Sequence, residues 1–255
     1  MKAMATNKKT ITDFNVQNRE LEAAYKKYRD IYNVSEDLDI IFNIALRDKE
    51  RFPSINLGGG DATYEHYIER WIKSYSDAEN NVPSEHVANP KSSCSDPAVK
   101  KLVEIATGVS ESEANEQERH HNLFMSAENI QGDLLEEYIA INIRQFGWLW
   151  CKGNILRAID FCTDDGSVYL QVKNKSNTEN SSSSAIREGT SIEKWFRLGT
   201  SKKGGICFPA YKWASLNDVI NEHNTSKKTC NMTEESYIKF VSKVAAENKQ
   251  IVSDK

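Results

Sequence analysis

Asp160 stands eleven residues before Gln171 and thirteen before Lys173, with Thr163-Asp164-Asp165-Gly166 between them. An Asp-Gly turn between short apolar runs favours a hairpin, here with strands over roughly 155–162 and 167–174. Side chains alternate along a strand, so Val168, Leu170 and Val172 point one way and Tyr169, Gln171 and Lys173 the other. Folding the hairpin brings the Asp160 carboxylate towards the Gln171 amide and the Lys173 ammonium. A hard divalent cation such as Mg²⁺ takes a carboxylate and other oxygens while keeping several waters, and a neighbouring lysine can orient or help deprotonate one of them. That is the minimum equipment for metal-assisted phosphodiester hydrolysis. The plainer alternative is a surface hairpin that sets an Asp near a Lys by chance, with Gln a weaker ligand than Asp or Glu.

Two flanking segments must position these groups. Upstream, residues 128–140 have helical periodicity, with Ile130, Leu134, Leu135, Tyr138 and Ile139 on the buried stripe. Glu128, Gly132 and Glu136 recur every four residues along one side, so Glu136 is a candidate third ligand, while Glu137 is expected on a solvated face. Downstream, residues 174–190 are polar, rich in Asn and Ser, and lead into the aromatic run Lys194-Trp195-Phe196-Arg197. Composition alone makes this a flexible linker. Its place directly behind a core strand suits a DNA-reading loop instead, since Asn and Arg make bidentate contacts to adenine and guanine.

Charge follows the same division. The chain of 255 residues carries 33 basic and 37 acidic residues, a net of −4, which argues against an indiscriminate polyanion binder. Residues 151–213 hold ten basic against six acidic, and the remainder 23 against 31. Positive charge is thus concentrated around the candidate site.

Asp160 followed by Gln171-Val172-Lys173, with Glu136 on a preceding helix, resembles the core of the PD-(D/E)xK nuclease superfamily in its variant with Gln at the middle position. The stretch from Leu170-Gln171-Val172-Lys173-Asn174-Lys175 through Glu179-Asn180 and Ser181 to Arg187-Glu188-Gly189-Thr190 and Lys194-Trp195-Phe196-Arg197 resembles the SinI-type group of type II restriction endonucleases. The resemblance covers about residues 120–215. It implies a Mg²⁺-dependent enzyme that cleaves double-stranded DNA at GG(A/T)CC and is made harmless to its host by a cognate cytosine methyltransferase of the same system, without implying direct contact between the two. Where the superfamily has Pro before the first Asp, this chain has Ile159. Under the resemblance Asp160, Gln171, the main-chain carbonyl of Val172 and Glu136 are the metal ligands, and Lys173 positions water or stabilises charge on the phosphate. Asn174, Lys175, Asn180, Ser181, Ser182, Ser183, Ser184 and Arg187 are candidate DNA contacts, Arg187 foremost for a guanine. Lys194 and Arg197 are phosphate anchors or ordinary surface charges. The competing readings are a structure-specific or methylation-dependent nuclease on the same core, and a non-catalytic DNA-binding protein whose Gln171 marks a decayed site.

The length suits one large domain or a nuclease core with helical additions. We expect a helical region over 1–118, with a DNA-grip or dimerisation role, and a catalytic and DNA-recognition core over 119–255. Four- and three-residue spacing predicts helices around Leu21–Tyr28, Leu38–Ala45, Tyr64–Tyr75, Val99–Ala106 and Tyr237–Val244, with Ser35 and Thr233 near helix starts. The aromatic stripe Tyr64, Tyr67, Ile68, Trp71, Tyr75 reads as core, residues 76–97 as a long connection, and Ser110 to Glu118 as solvated. Gly58-Gly59-Gly60-Asp61 lacks the Gly-Lys-Ser/Thr of a nucleotide-binding loop, and His120-His121 point apart on a helix. Five scattered cysteines (94, 151, 162, 207, 230) indicate neither a disulfide framework nor a zinc site, and Cys151 and Cys162 should pack near the core strands. No apolar run matches a membrane span or a signal peptide, so a cytoplasmic protein is expected. The expected fold is α/β or α+β, a small mixed sheet flanked by helices in the restriction-endonuclease-like manner. A near-palindromic target suggests a homodimer.

Overall fold

Apolar and aromatic side chains recurring every three or four residues build the N-terminal helices. In the computed structural model, which describes residues 7–59, 62–88, 95–175, 191–224 and 226–253, β1 (Lys8–Lys9) precedes α1 (Asn18–Tyr32) and α2 (Glu36–Arg47). β2 (Ile55–Asn56) pairs antiparallel with β1, and α3 (Tyr64–Glu79) follows. The α3 stripe is core as expected: Tyr67, Ile68, Trp71 and Tyr75 are fully buried. Tyr25 of α1 stacks on Phe42 of α2 at 3.9 Å, and Trp71 lies 5.9 Å from Phe42. The Thr63 hydroxyl accepts from the His66 N–H and caps α3. Ser35 stands at the α2 N-cap, but its hydroxyl meets the Tyr75 hydroxyl at 3.1 Å instead of the helix backbone.

Next come α4 (Pro97–Thr107) and α5 (Glu111–Ile143), then β3 (Trp148–Trp150), β4 (Phe161–Thr163), β5 (Tyr169–Lys175), β6 (Ile192–Lys203) and β7 (Ile206–Tyr211). The last five strands form one sheet in chain order. β3, β4 and β5 are an antiparallel meander, β6 runs parallel to β5, and β7 returns antiparallel to β6. A parallel neighbour demands a long crossover, which residues 176–191 supply in length. α6 (Trp213–Glu222) and α7 (Glu234–Glu247) complete the chain. This is the α+β fold expected, a small mixed sheet flanked by helices after a mainly helical N-terminal region.

The chain forms two units, Met1–Asn81 with Ile139–Glu234, and Val82–Tyr138 with Glu235–Lys255. The first unit holds the sheet and the main core, in which Leu149, Cys151, Cys162 and Tyr169 pack with the α1, α2 and α3 side chains. Cys151 and Cys162 are buried, as expected, with their sulfurs 3.6 Å apart. In the second unit Leu134, Val244 and Ile251 form a smaller core. Position 118/119, the expected boundary, lies inside α5. The start of that helix was written in the sequence as Ser-x-x-Glu: the Ser110 N–H donates to Glu113 and the Glu113 N–H to the Ser110 hydroxyl. The acidic stretch is solvated, and it is helical. Among the described residues no helix is long and apolar enough to cross a membrane.

Two local expectations are corrected. The first hairpin strand begins at Phe161 and not near residue 155, because Gly153, Asn154 and Ala158 have left-handed backbones (φ 75°, 55° and 59°) that cannot continue a ladder. This segment is tied instead to α3. The Trp71 indole N–H donates to the Ile155 carbonyl at 2.8 Å and the Ser74 hydroxyl to the Gly153 carbonyl at 2.6 Å. A Cβ on Gly153 would lie 2.5 Å from the Ser74 carbonyl oxygen, so glycine is required. Glu137 is buried and not solvated: its carboxylate accepts from the Ser84 N–H at 2.8 Å and the Ser84 hydroxyl at 2.6 Å. Charge type alone misleads when a neighbouring loop supplies the donors.

Candidate active site

The Asp-Gly turn closes the hairpin as its residues demand. The Gly166 N–H donates to the Thr163 carbonyl at 3.0 Å, the Thr163 N–H to the Val168 carbonyl at 3.1 Å, and Gly166 has φ 72°. Asp165 accepts from the Thr163 hydroxyl and the Ser167 N–H, which hold its carboxyl down at about 2. The register that follows pairs Phe161 with Leu170 and Cys162 with Tyr169.

Asp160 sits one residue before β4. Its carbonyl accepts from the Cys151 N–H on the β3 side, while its N–H turns to the Leu170 carbonyl on β5, both at 2.9 Å. In a regular strand both groups of one residue face the same neighbour, so the backbone is bent here in the manner of a bulge, which re-aims the side chain. The carboxylate Oδ2 then accepts from the Val172 N–H at 2.7 Å, where a regular ladder would offer a main-chain carbonyl. Burial pushes the Asp160 carboxyl above its ordinary range; the Val172 hydrogen bond and the nearby Lys173 charge oppose that rise without cancelling it.

Gln171 and Lys173 project from the neighbouring strand. Gln171 is 5% exposed, yet its amide has no hydrogen-bond partner among the described residues. Its amide atoms keep some solvent contact, so the group is reachable from outside and is not orphaned in the core. Lys173 is half-buried and has no salt-bridge partner among the described residues. Asp160 Oδ1, the Gln171 amide and the Lys173 ammonium are thus three uncommitted polar groups on two adjoining strands. Among the described residues no three His, Cys, Asp or Glu side chains converge as a metal cluster. A cation here would therefore draw on one carboxylate, neutral oxygens and water, a donor set that fits Mg²⁺.

The parallel pairing extends the site. Gln171 pairs with Lys194, Lys173 with Phe196 and Lys175 with Leu198, and paired residues of parallel strands share a face. Lys194 therefore stands beside Gln171, on the Lys173 side of the sheet. Asn174 lies on the opposite face and accepts from the Arg197 guanidinium at 2.9 Å. Arg197 is buried, pairs with Glu234 and lies over the Tyr211 ring at 5.6 Å; Glu234 also accepts from the Trp213 indole at 2.8 Å. Arg197 and Asn174, expected as DNA contacts, are therefore engaged within the protein. Lys175 is exposed at the end of β5. Asn180, Ser181 to Ser184 and Arg187 lie outside the described residues. Glu136 is half-buried on α5 and belongs to the second unit.

Sequence spacing brought Asp160, Gln171 and Lys173 together but missed what fixes them. The Val172 N–H, the α3 anchors Trp71 and Ser74, and the place of Lys194 depend on which strand lies next to which. Only Gly153 left a local trace, as a glycine outside any turn motif.

Comparison with known proteins bears on the same residues. The model of the SinI restriction endonuclease family matches residues 65–247, a span that contains Asp160, Gln171 and Lys173. The type II restriction enzyme SinI of Salmonella infantis is 30% identical over 241 residues, which cover 89% of this chain and 97% of that protein. The type II restriction enzyme Eco47I of Escherichia coli is 34% identical over 168 residues, covering 64% of this chain and 69% of its own.

Proposed function

The chain belongs to the SinI restriction endonuclease family of type II restriction enzymes, and we propose that it hydrolyses double-stranded DNA at GG(A/T)CC with Mg²⁺ held at Asp160. The observation that carries the chemistry is the Asp160 carboxylate, held by the Val172 N–H, beside the strand that bears Gln171 and Lys173, two side chains without a hydrogen-bond partner among the described residues. Asp160 Oδ1, the side-chain oxygen of Gln171 and the main-chain carbonyl of Val172 would hold the cation. When bound, the cation supplies Lewis-acid polarisation of the scissile phosphate and a more acidic water.

The protein groups do the rest. The Val172 N–H fixes the Asp160 carboxylate in one orientation, so little reorganisation is needed when substrate arrives. Lys173, without a salt bridge among the described residues, can donate to the attacking water or to a non-bridging phosphate oxygen as negative charge grows there. Gln171 in place of an acidic residue lowers the negative charge facing an incoming phosphate, so the Lys173 charge is less offset. Two such sites, one per strand of a near-palindromic duplex, would come from a homodimer, and methylation by a cognate methyltransferase would protect the host's own sites.

The test is to incubate the protein with unmethylated phage DNA and Mg²⁺ and to sequence the fragment ends. Ends clustered at GG(A/T)CC are expected. Ends clustered elsewhere would overturn the specificity, and intact DNA would overturn the chemistry.

A further inference from the structure

Among the described residues, β6 and β7 run on past the sheet's other strands as a two-stranded ribbon. Every residue from Thr200 to Pro209 is exposed, on both faces. The tip is Gly204-Gly205 with φ 59° and 81°, the left-handed pair that a tight two-residue hairpin turn requires and that glycine adopts without strain. Lys203 pairs with Ile206, Lys202 with Cys207, Ser201 with Phe208 and Thr200 with Pro209. One face therefore presents Lys203, Ser201, Ile206 and Phe208, the other Lys202, Thr200, Cys207 and Pro209. Ile206 is 63% exposed and Phe208 46%. A two-stranded ribbon covered on neither face is marginal in water, and its exposed apolar side chains ask for a partner.

Charge and edge chemistry choose that partner. From Lys194 to Asn217 there is no acidic residue, while Lys194, Arg197, Lys202, Lys203 and Lys212 are basic, in a chain whose net charge is −4. A second copy adding a strand to the free edge of β7 is disfavoured. With the turn flanked by a bonded pair at Lys203 and Ile206, bonded pairs recur every second residue, so the backbone nitrogen of Pro209 points outward and carries no N–H. Proline there blunts the edge.

We propose that the Thr200–Pro209 ribbon is a DNA-binding arm that lies in a groove of the substrate duplex, with Lys202 and Lys203 against phosphates and Ile206 and Phe208 against sugars and base edges. A two-stranded ribbon has the width that the major groove admits. The arm rests on the nuclease reading above and adds a contact surface to it. β6 joins the two, since Lys194 pairs with Gln171 and Lys202 follows eight residues later, roughly 26 Å at about 3.3 Å per residue.

The experiment measures binding of a GGACC-containing duplex in EDTA over a salt series, for the wild-type chain and for Lys202→Ala/Lys203→Ala. Both lysines are exposed, so the core is untouched. Removing two phosphate contacts is expected to weaken binding at low salt and to make the slope of log K against log salt shallower by about 1.8. Alkylation of Cys207, read by mass spectrometry, is expected to slow when the duplex is bound. Unchanged affinity and slope in the variant, with Cys207 alkylated as fast in the complex as in free protein, would overturn the arm alone. A wild-type chain that binds no duplex at any salt would remove the nuclease reading and the arm with it.

Discussion

The Val172 N–H and the Asp160 carboxylate are joined at 2.7 Å, a main-chain donor on one strand meeting a side-chain acceptor at the mouth of the next. The bond fixes the acid where burial makes its charge costly, and so ties the proposed chemistry to a loss of stability that can be measured.

Asp160→Asn keeps an acceptor for Val172 and removes the charge. Since the folded-state pKa of Asp160 is raised above 3.8, the folded chain holds its proton more tightly than the unfolded chain. Stability therefore falls as pH rises from about 3.8 through the folded pKa, and the cost persists above it. At pH 7.5 in EDTA the variant should melt above wild type, the gap should close as pH is lowered towards 4, and DNA cleavage should be lost. Thermal melts at the two pH values check this.

Gln171→Met replaces an unpaired buried amide by an apolar side chain of similar size. The amide has no protein partner to lose and keeps some solvent contact, so stability of the metal-free protein should change by less than about 1 kcal/mol in urea denaturation. The same variant should bind Mg²⁺ about tenfold more weakly or worse, as read by calorimetric titration. A loss of stability without change in metal binding would make Gln171 an ordinary core residue.

How far the sequence disclosed this arrangement can be judged at particular residues. The α3 stripe and the Asp164-Asp165-Gly166 hairpin were legible because period and turn chemistry are local. That Asp160 would lie beside the strand of Gln171 and Lys173 was legible by spacing once the hairpin was assumed. The parallel pairing of β5 with β6 was not, because nothing near Gln171 announces Lys194 as its neighbour. Glu137 and Arg197 were misplaced for one shared reason: a charged residue looks solvated until the distant donor or acceptor that satisfies it, Ser84 or Glu234, is brought beside it.

Arg197→Ala separates a structural role from DNA contact. Removing the guanidinium leaves the Glu234 carboxylate and the Asn174 amide without their partner, and stability should fall by about 3 kcal/mol. Denaturant titration measures the loss. An unchanged midpoint together with weakened DNA binding would return Arg197 to the DNA interface.

Gly153→Ala tests the tie between α3 and the segment leading to Asp160. The added methyl group meets the Ser74 carbonyl at 2.5 Å in a left-handed backbone, so destabilisation of about 2–4 kcal/mol is expected. Cleavage should fall along with it, since the Asp160 backbone is held from this side. Wild-type stability in the variant would show that the loop has room to shift.

The most direct test of the site compares wild type with Lys173→Ala in two assays on one duplex: binding in EDTA, and single-turnover cleavage with Mg²⁺. Lys173→Ala should bind as wild type does and leave the duplex intact while wild type cuts both strands. Cleavage by Lys173→Ala at the wild-type rate would contradict the assignment of Asp160, Gln171 and Lys173 as the catalytic centre.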